Sequence, residues 1–216
     1  MAISQGATFC AVTFLITVFG VLGSARFEPC IAAYAAGSLM LGGYAILISL
    51  ATGYGHLGVV AALTILVKAA AIPFILIRVV RRLGTATEGH LQIGAAVSLI
   101  IGAILTVIGY AVSGRFAPGL GSFYHSGLAA GISATLIGMA FVAMRRQALM
   151  QLLGLLICEN GTLMIGLAIA PDLPLIVEFG VILDVIVAVV IFAGLALSIH
   201  EVYDTTDTAR LSNLRG

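Results

Sequence analysis

Apolar runs of about 20 residues follow one another along the chain, each long enough to cross roughly 30 Å of hydrocarbon as a helix. They fall near 3 to 23, 30 to 51, 57 to 80, 92 to 112, 123 to 144, 149 to 170 and 174 to 199. A helix satisfies its own backbone N–H and C=O groups, which is what a segment surrounded by lipid requires. The expected fold is therefore all-α, a polytopic membrane helical bundle of about seven transmembrane helices.

The connectors fit that reading. Arg26 to Pro29, Thr52 to Gly55, Arg81 to His90, Ser113 to Ser122, Arg145 to Gln147 and Pro171 to Pro174 are short and rich in turn-forming or charged residues, with no room for a soluble domain. Of the 216 residues, 61% are hydrophobic and 9% are charged. A soluble domain needs roughly a quarter of its residues charged to cover its surface, so the lipid bilayer is the expected surrounding. A net charge of +1 provides no basic face for nucleic acid. Met1 to Gly6 lacks the Lys or Arg that leads a cleavable signal, so the first run is expected to remain as a helix.

Lysine and arginine are retained on the cytoplasmic side of a membrane. Arg26, then Arg78, Arg81 and Arg82, then Arg145 and Arg146, then Arg210 and Arg215 belong to the first, third and fifth loops and the tail, and Arg115 alone belongs to the other side. This alternation requires an odd number of spans. It places the N-terminus outside and the C-terminus in the cytoplasm.

A few charges interrupt the apolar runs: Lys68 in span three, Glu159 in span six, and Glu178 and Asp184 in span seven. Lys68, Glu159 and Asp184 each stand ten or so residues from a helix end, about 15 Å deep at 1.5 Å per residue, whereas Glu178 is about one turn inside the boundary. A charge at the bilayer centre costs on the order of 3 kcal/mol, so such groups face the bundle interior and mark ion or proton pathways. The bland alternative is an ion pair that only anchors helix packing. Burial penalises the charged form of acids and amines alike, which suits two carboxylates and an ammonium to proton exchange.

Asn160, next to Glu159, and Thr162 are candidates to hold water or to bind the carboxylate. Pro73, five residues after Lys68, removes a backbone hydrogen bond and is expected to kink span three. Gly127 and Gly131 form a small-xxx-small pair on span five. His56, His90, His125 and His200 fall at span ends or in loops and read as solvated, and Cys10, Cys30 and Cys158 read as small buried hydrophobes. No zinc spacing, phosphate loop, nucleophile elbow or Cys-x-x-Cys is present, so the chain is expected to hold neither a metal nor a catalytic centre.

The stretch Arg145-Arg146-Gln147 through Gly154-Leu155, then Glu159-Asn160-Gly161, a short turn, an acid-bearing helix and the tail Leu211 to Gly216 resembles the K subunit of respiratory complex I. That likeness covers a C-terminal three-helix segment, 113–216, behind an N-terminal four-helix segment, 1–112. The whole length is similar to the E component of hydrogenase-4, a subunit of formate hydrogenlyase and related group 4 membrane-bound hydrogenases. Glu159-Asn160-Gly161 and Val177-Glu178-x-Gly180 followed by Asp184 carry that second likeness.

The resemblance implies a non-catalytic membrane-arm subunit beside antiporter-like subunits in a bacterial or archaeal inner membrane. Its buried acids would belong to a lateral chain coupling redox chemistry to proton translocation. Iron–sulfur clusters and a nickel–iron centre would reside in partner subunits and none in this chain. Glu159 would match the penultimate-helix glutamate, Asp184 the last-helix acid, and Glu178 an accessory. This chain departs from the K subunit in carrying Leu156 where that subunit has its glutamate. The three-residue offset is about 60° and about 4.5 Å on a helix, so the same face can still present the acid. Lys68-Ala69-Ala70-Ala71-Ile72-Pro73-Phe74 also looks like the lysine and proline element of antiporter-like subunits. The reading from another class is a stand-alone proton-coupled transporter or antiporter, which buried acids and Lys68 would serve equally well.

Overall fold

A computed structural model describes residues 2–83, 94–116, 122–145, 147–170 and 194. Helix α1 spans Ala2–Leu22 and α2 spans Phe27–Thr52. The third run is a continuous rod made of α3 (His56–Leu63), a π-helical stretch (Thr64–Ala71) and α4 (Ile72–Leu83). Helices α5 (Ala95–Phe116), α6 (Ser122–Met144) and α7 (Ala148–Ile169) follow, and no strand occurs among the described residues. Each of the first six expected runs is thus a helical span, and each is long and apolar enough to cross a membrane. The protein is a multi-pass, all-helical membrane protein. The run expected at 174 to 199, on which the count of seven and the C-terminal orientation rest, lies outside the described residues except for Gly194.

Helix ends follow local chemistry. Helix α2 closes on Gly53, whose φ of 76° is the left-handed conformation that glycine adopts without a Cβ clash, and its N–H bonds the Ser49 carbonyl at 2.8 Å. The chain then turns directly into α3.

Within the bundle α6 packs most extensively on α7, α1 on α2, and α5 on α6, while α2 also touches the third span and α7. These contacts cross the expected 112/113 boundary, since α1 packs on α6 and α2 on α7. Small residues set the α6–α7 spacing. A Cβ built on Gly161 would stand 2.6 Å from the Thr135 nitrogen, and one on Gly138 would stand 2.6 Å from the Cys158 nitrogen. With little hydrophobic force between helices in lipid, such close backbone approach supplies the dispersion contact that holds them. The expected Gly127–Gly131 pair is split between two neighbours: Gly131 faces Gly161 of α7, and Gly127 backs onto the Tyr44 ring of α2.

Arginines collect at one end. The buried Arg145 guanidinium donates to the Leu22 and Ser24 carbonyls at 3.2 Å each and lies 4.7 Å over the Phe141 ring. Arg81 Nε stands 3.7 Å from Glu28 Oε1. The α1–α2 loop, the end of α4 and the α6–α7 turn therefore meet, as the alternation of loop charge requires. At the opposite end Ser113 Oγ lies 3.1 Å from His125 Nε2, near Arg115.

Candidate functional site

Lys68 Nζ stands 2.8 Å from Glu159 Oε1, with the two side chains 1% and 11% exposed. The contact joins the π-helical stretch of the third span to α7 at mid-depth, with Glu159 about 15 Å from the end of α7 and Lys68 about 18 Å from the start of its rod at 1.5 Å per residue. Charge attraction in the low-dielectric interior holds it. The pair answers the question posed by a charge in lipid: each ion supplies the other's counterion inside the bundle.

The backbone around Lys68 is altered in a specific way. Thr64–Ala71 is π-helical, and the Ile72 N–H reaches the Val67 carbonyl, five residues back instead of four. Pro73 follows at once and has no N–H to donate. The disturbance expected from Pro73 thus takes the form of π turns on its N-terminal side, a feature that recurs at functional sites within helices. Thr64, four residues before Lys68, is also buried, and its Oγ1 makes no hydrogen bond among the described residues.

Helix α2 lies against both the π stretch and α7. It contributes Tyr34 and Ser38, four residues apart and so on one face. Asn160, 1% exposed, donates through Nδ2 to Ser38 Oγ at 2.9 Å, and the Tyr34 hydroxyl lies beside both Ser38 and Asn160. Asn160 is therefore anchored within the cluster next to Glu159. Thr162 is not brought to it: that side chain is exposed, and its hydroxyl donates to the Cys158 carbonyl of its own helix at 3.0 Å. Glu178 and Asp184 lie outside the described residues.

Sequence reasoning that tabulated only charges missed Tyr34, Ser38 and Thr64. Their signal was spacing: Tyr34 with Ser38, and Thr64 with Lys68, each put two polar side chains four residues apart inside an apolar run. Cys10, Cys30 and Cys158 form no disulfide among the described residues, and the buried Cys30 thiol donates to the Val21 and Ser24 carbonyls at 3.6 Å each. No group of three or more metal-ligating residues occurs among the described residues. What the cluster offers chemically is a polar, mostly buried line crossing three helices, containing one amine, one carboxylate, hydroxyls and an amide.

No family model matches the chain, and no solved structure matches it. Over 152 residues, 68% of each chain, it is 28% identical to an uncharacterized protein of Mycobacterium tuberculosis. Over 89 residues it is 32% identical to hydrogenase-4 component E of Escherichia coli K12, and equally to that of Shigella flexneri. This second match spans 41% of this chain and 41% of component E, narrower than the whole-length likeness suggested by the motifs.

Proposed function

We propose that the protein is a non-catalytic membrane subunit of a group 4 hydrogenase-like, complex I-like assembly and contributes buried side chains to a proton-translocation relay. The observation that carries the reading is the Lys68–Glu159 pair, 2.8 Å apart at mid-membrane depth. The similarity to hydrogenase-4 component E supplies the kind of assembly. The resemblance of Glu159-Asn160-Gly161 and its flanks to component E and to the complex I K subunit supports the partners of this reading, namely antiporter-like and other membrane-arm subunits of a formate hydrogenlyase-type complex. In this reading the iron–sulfur clusters and the nickel–iron centre belong to those partners, and the assembly sits in a bacterial or archaeal inner membrane with the arginine-rich end toward the cytoplasm.

The chemistry follows from the low dielectric. Moving one proton from Lys68 Nζ to the Glu159 carboxylate converts an ion pair into a neutral amine and a carboxylic acid, a change that lipid penalises far less than water does. A proton delivered to the pair from one side can thus be released on the other, with Asp184 as the next acceptor and Glu178 as an accessory. Asn160 stays neutral and orients its neighbours, and the π turns beside Pro73 give Lys68 room to reorient.

Purification from native membrane tests the assembly: co-isolation with hydrogenase and antiporter-like subunits is expected, and a transport-competent protein isolated alone would reject it. Within the assembled complex, Glu159→Gln is expected to abolish proton translocation while electron transfer in the partner subunits persists. Unchanged translocation would remove the relay from the proposal.

A further inference from the structure

A small cavity lies between α1, α2 and α7, bordered by Thr17, Tyr34, Gly37, Ile157 and Asn160 and reaching toward Val21 near the arginine-rich end. Its volume of about 10 Å³ is about that of one water-sized probe, the lower limit for holding one molecule. Most of its wall is apolar, with Phe14, Val18 and Ala33 completing it, and Thr17, Tyr34 and Asn160 bring the polar groups. Tyr34 is 2% exposed and Asn160 is 1% exposed, and although the Tyr34 hydroxyl lies beside Ser38 and Asn160, neither Tyr34 Oη nor Asn160 Oδ1 has a well-aligned hydrogen bond among the described residues. A buried polar group left without a partner is costly, and a water at this place would supply one. Thr17 Oγ1, which donates to the Phe14 carbonyl at 2.6 Å, keeps its lone pairs available as a third partner. Position 37 must be glycine for this arrangement, because a Cβ there would stand 2.6 Å from Thr17 Oγ1.

We propose that this cavity is a site for one internal water, held by Tyr34, Asn160 and Thr17, and that the water and the Tyr34 hydroxyl form the branch connecting Glu159 to the arginine-rich end. The three partners match the two to four that an internal water requires. Tyr34 lies about 10 Å from the start of α2 and Asn160 about 18 Å from the start of α7, at 1.5 Å per residue. Both side chains lean toward those helix starts, as helical Cα–Cβ bonds do, and so toward the arginine-rich end. Tyr34 also lies in the neighbourhood of Glu159. A proton passed from the water to Tyr34 Oη displaces the proton already there toward the carboxylate side, so the tyrosine is unchanged after each passage. Asn160 takes up no proton and orients the water. The branch's role in translocation rests on the relay reading above, whereas the water site itself does not.

Two measurements on the assembled complex in its native membrane separate these statements. Hydroxyl-radical labelling by X-ray radiolysis in ¹⁸O-water is expected to mark Tyr34 in the unsubstituted protein despite its burial, because the radical would arise from a water beside the ring. Absence of the label would overturn the water site. Tyr34→Phe is expected to lose no packing volume and to slow proton translocation about tenfold, the effect of one lost hydrogen bond of about 1.4 kcal/mol. Thr17→Val, equally close in shape, is expected to slow it less. Labelled Tyr34 with full-rate translocation in Tyr34→Phe would reject the branch while leaving the water in place. Full-rate translocation in Glu159→Gln would reject the relay itself, whatever the labelling outcome.

Discussion

The third span carries two ion pairs of very different character. At its middle Lys68 meets Glu159 at 2.8 Å with both side chains nearly sealed from the surface, and at its end Arg81 meets Glu28 at 3.7 Å with the two 73% and 61% exposed. The first is set among polar side chains from two further helices and lies on π-helical backbone, whereas the second hangs at the rim of the bundle on ordinary α-helix. Coulomb attraction scales inversely with dielectric, so the same two charge types interact strongly in the interior and weakly at the edge. Burial also makes the interior pair expensive to break, because one ion left alone has no solvent to turn to. A charge that lipid tolerates only when paired is thus a group whose partner matters, and exchange of its proton is where function can lie.

The largest effect should come from removing one member of the interior pair. Glu159→Leu or Lys68→Met alone is expected to destabilise the protein by about 3–5 kcal/mol, and the double substitution to recover most of that loss, because it removes both desolvated charges together. Thermal unfolding of the purified complex, or its steady-state level in membranes, provides the comparison. Equal losses in the single and double variants would mean that the two groups do not depend on each other.

Next in size are the contacts that let the helices approach closely enough to hold that pair. Gly161→Ala puts a methyl 2.6 Å from the Thr135 nitrogen, a clash with backbone that no side-chain rotation relieves. Overpacking of this kind costs about 1–3 kcal/mol. Gly58→Ala, at a position where a Cβ meets nothing within 4 Å, should leave stability unchanged. A Gly161→Ala protein as stable as the parent would show that the α6–α7 interface adjusts freely.

Much of this architecture was legible before any coordinates, and the reason is the solvent. Lipid forces every spanning segment to be helical, about 20 residues long and nearly free of charge, so apolar runs alone gave six helices to within a few residues of their ends. The same constraint made Lys68 and Glu159 conspicuous. Their mutual contact was not legible, because the sequence contains no information on which face of the third span turns toward α7, and Asp184 offered an equally deep partner. Tyr34, Ser38 and Thr64 went unnoticed because neutral hydroxyl groups are common in membrane helices and only their spacing sets these apart. The loop charge makes Arg145 a marker of sidedness, whereas its guanidinium also binds the Leu22 carbonyl at the end of α1 and the Ser24 carbonyl just beyond it. That role depends on α1 and α6 ending side by side, which only the packing reveals.

Arg145 occupies the middle ground between the two pairs: buried like Lys68, yet at the rim like Arg81, with its guanidinium on the Leu22 and Ser24 carbonyls. Charge-assisted hydrogen bonds of this kind contribute about 1.5–3 kcal/mol each in favourable geometry, and a cation at a helix C-terminus gains further from the aligned peptide dipoles. Arg145→Gln is expected to lower stability by about 1–2 kcal/mol, with Arg145→Lys recovering part of it. Lysine keeps the charge but loses the planar fork and the stacking on Phe141. Undiminished stability in Arg145→Gln would leave sidedness as the residue's only role.

The smallest effect should be at the outer pair. Two exposed long side chains 3.7 Å apart spend rotamer freedom to meet, and measured exposed pairs are worth about 0.2–1 kcal/mol. Arg81→Gln, Glu28→Gln and the double variant should all lie within about 0.5 kcal/mol of the parent, and the difference should vanish in high salt, where charges at the rim are screened over about 3 Å at 1 M. The interior pair should keep its energy under the same conditions, since ions do not enter the bundle. Salt titration of both double-mutant cycles therefore tests the contrast directly. If the Lys68–Glu159 coupling energy fell with salt as the Arg81–Glu28 energy does, the interior pair would be reached by bulk solution, and the polar line across α2, α7 and the π stretch would be an aqueous channel instead of a sealed relay.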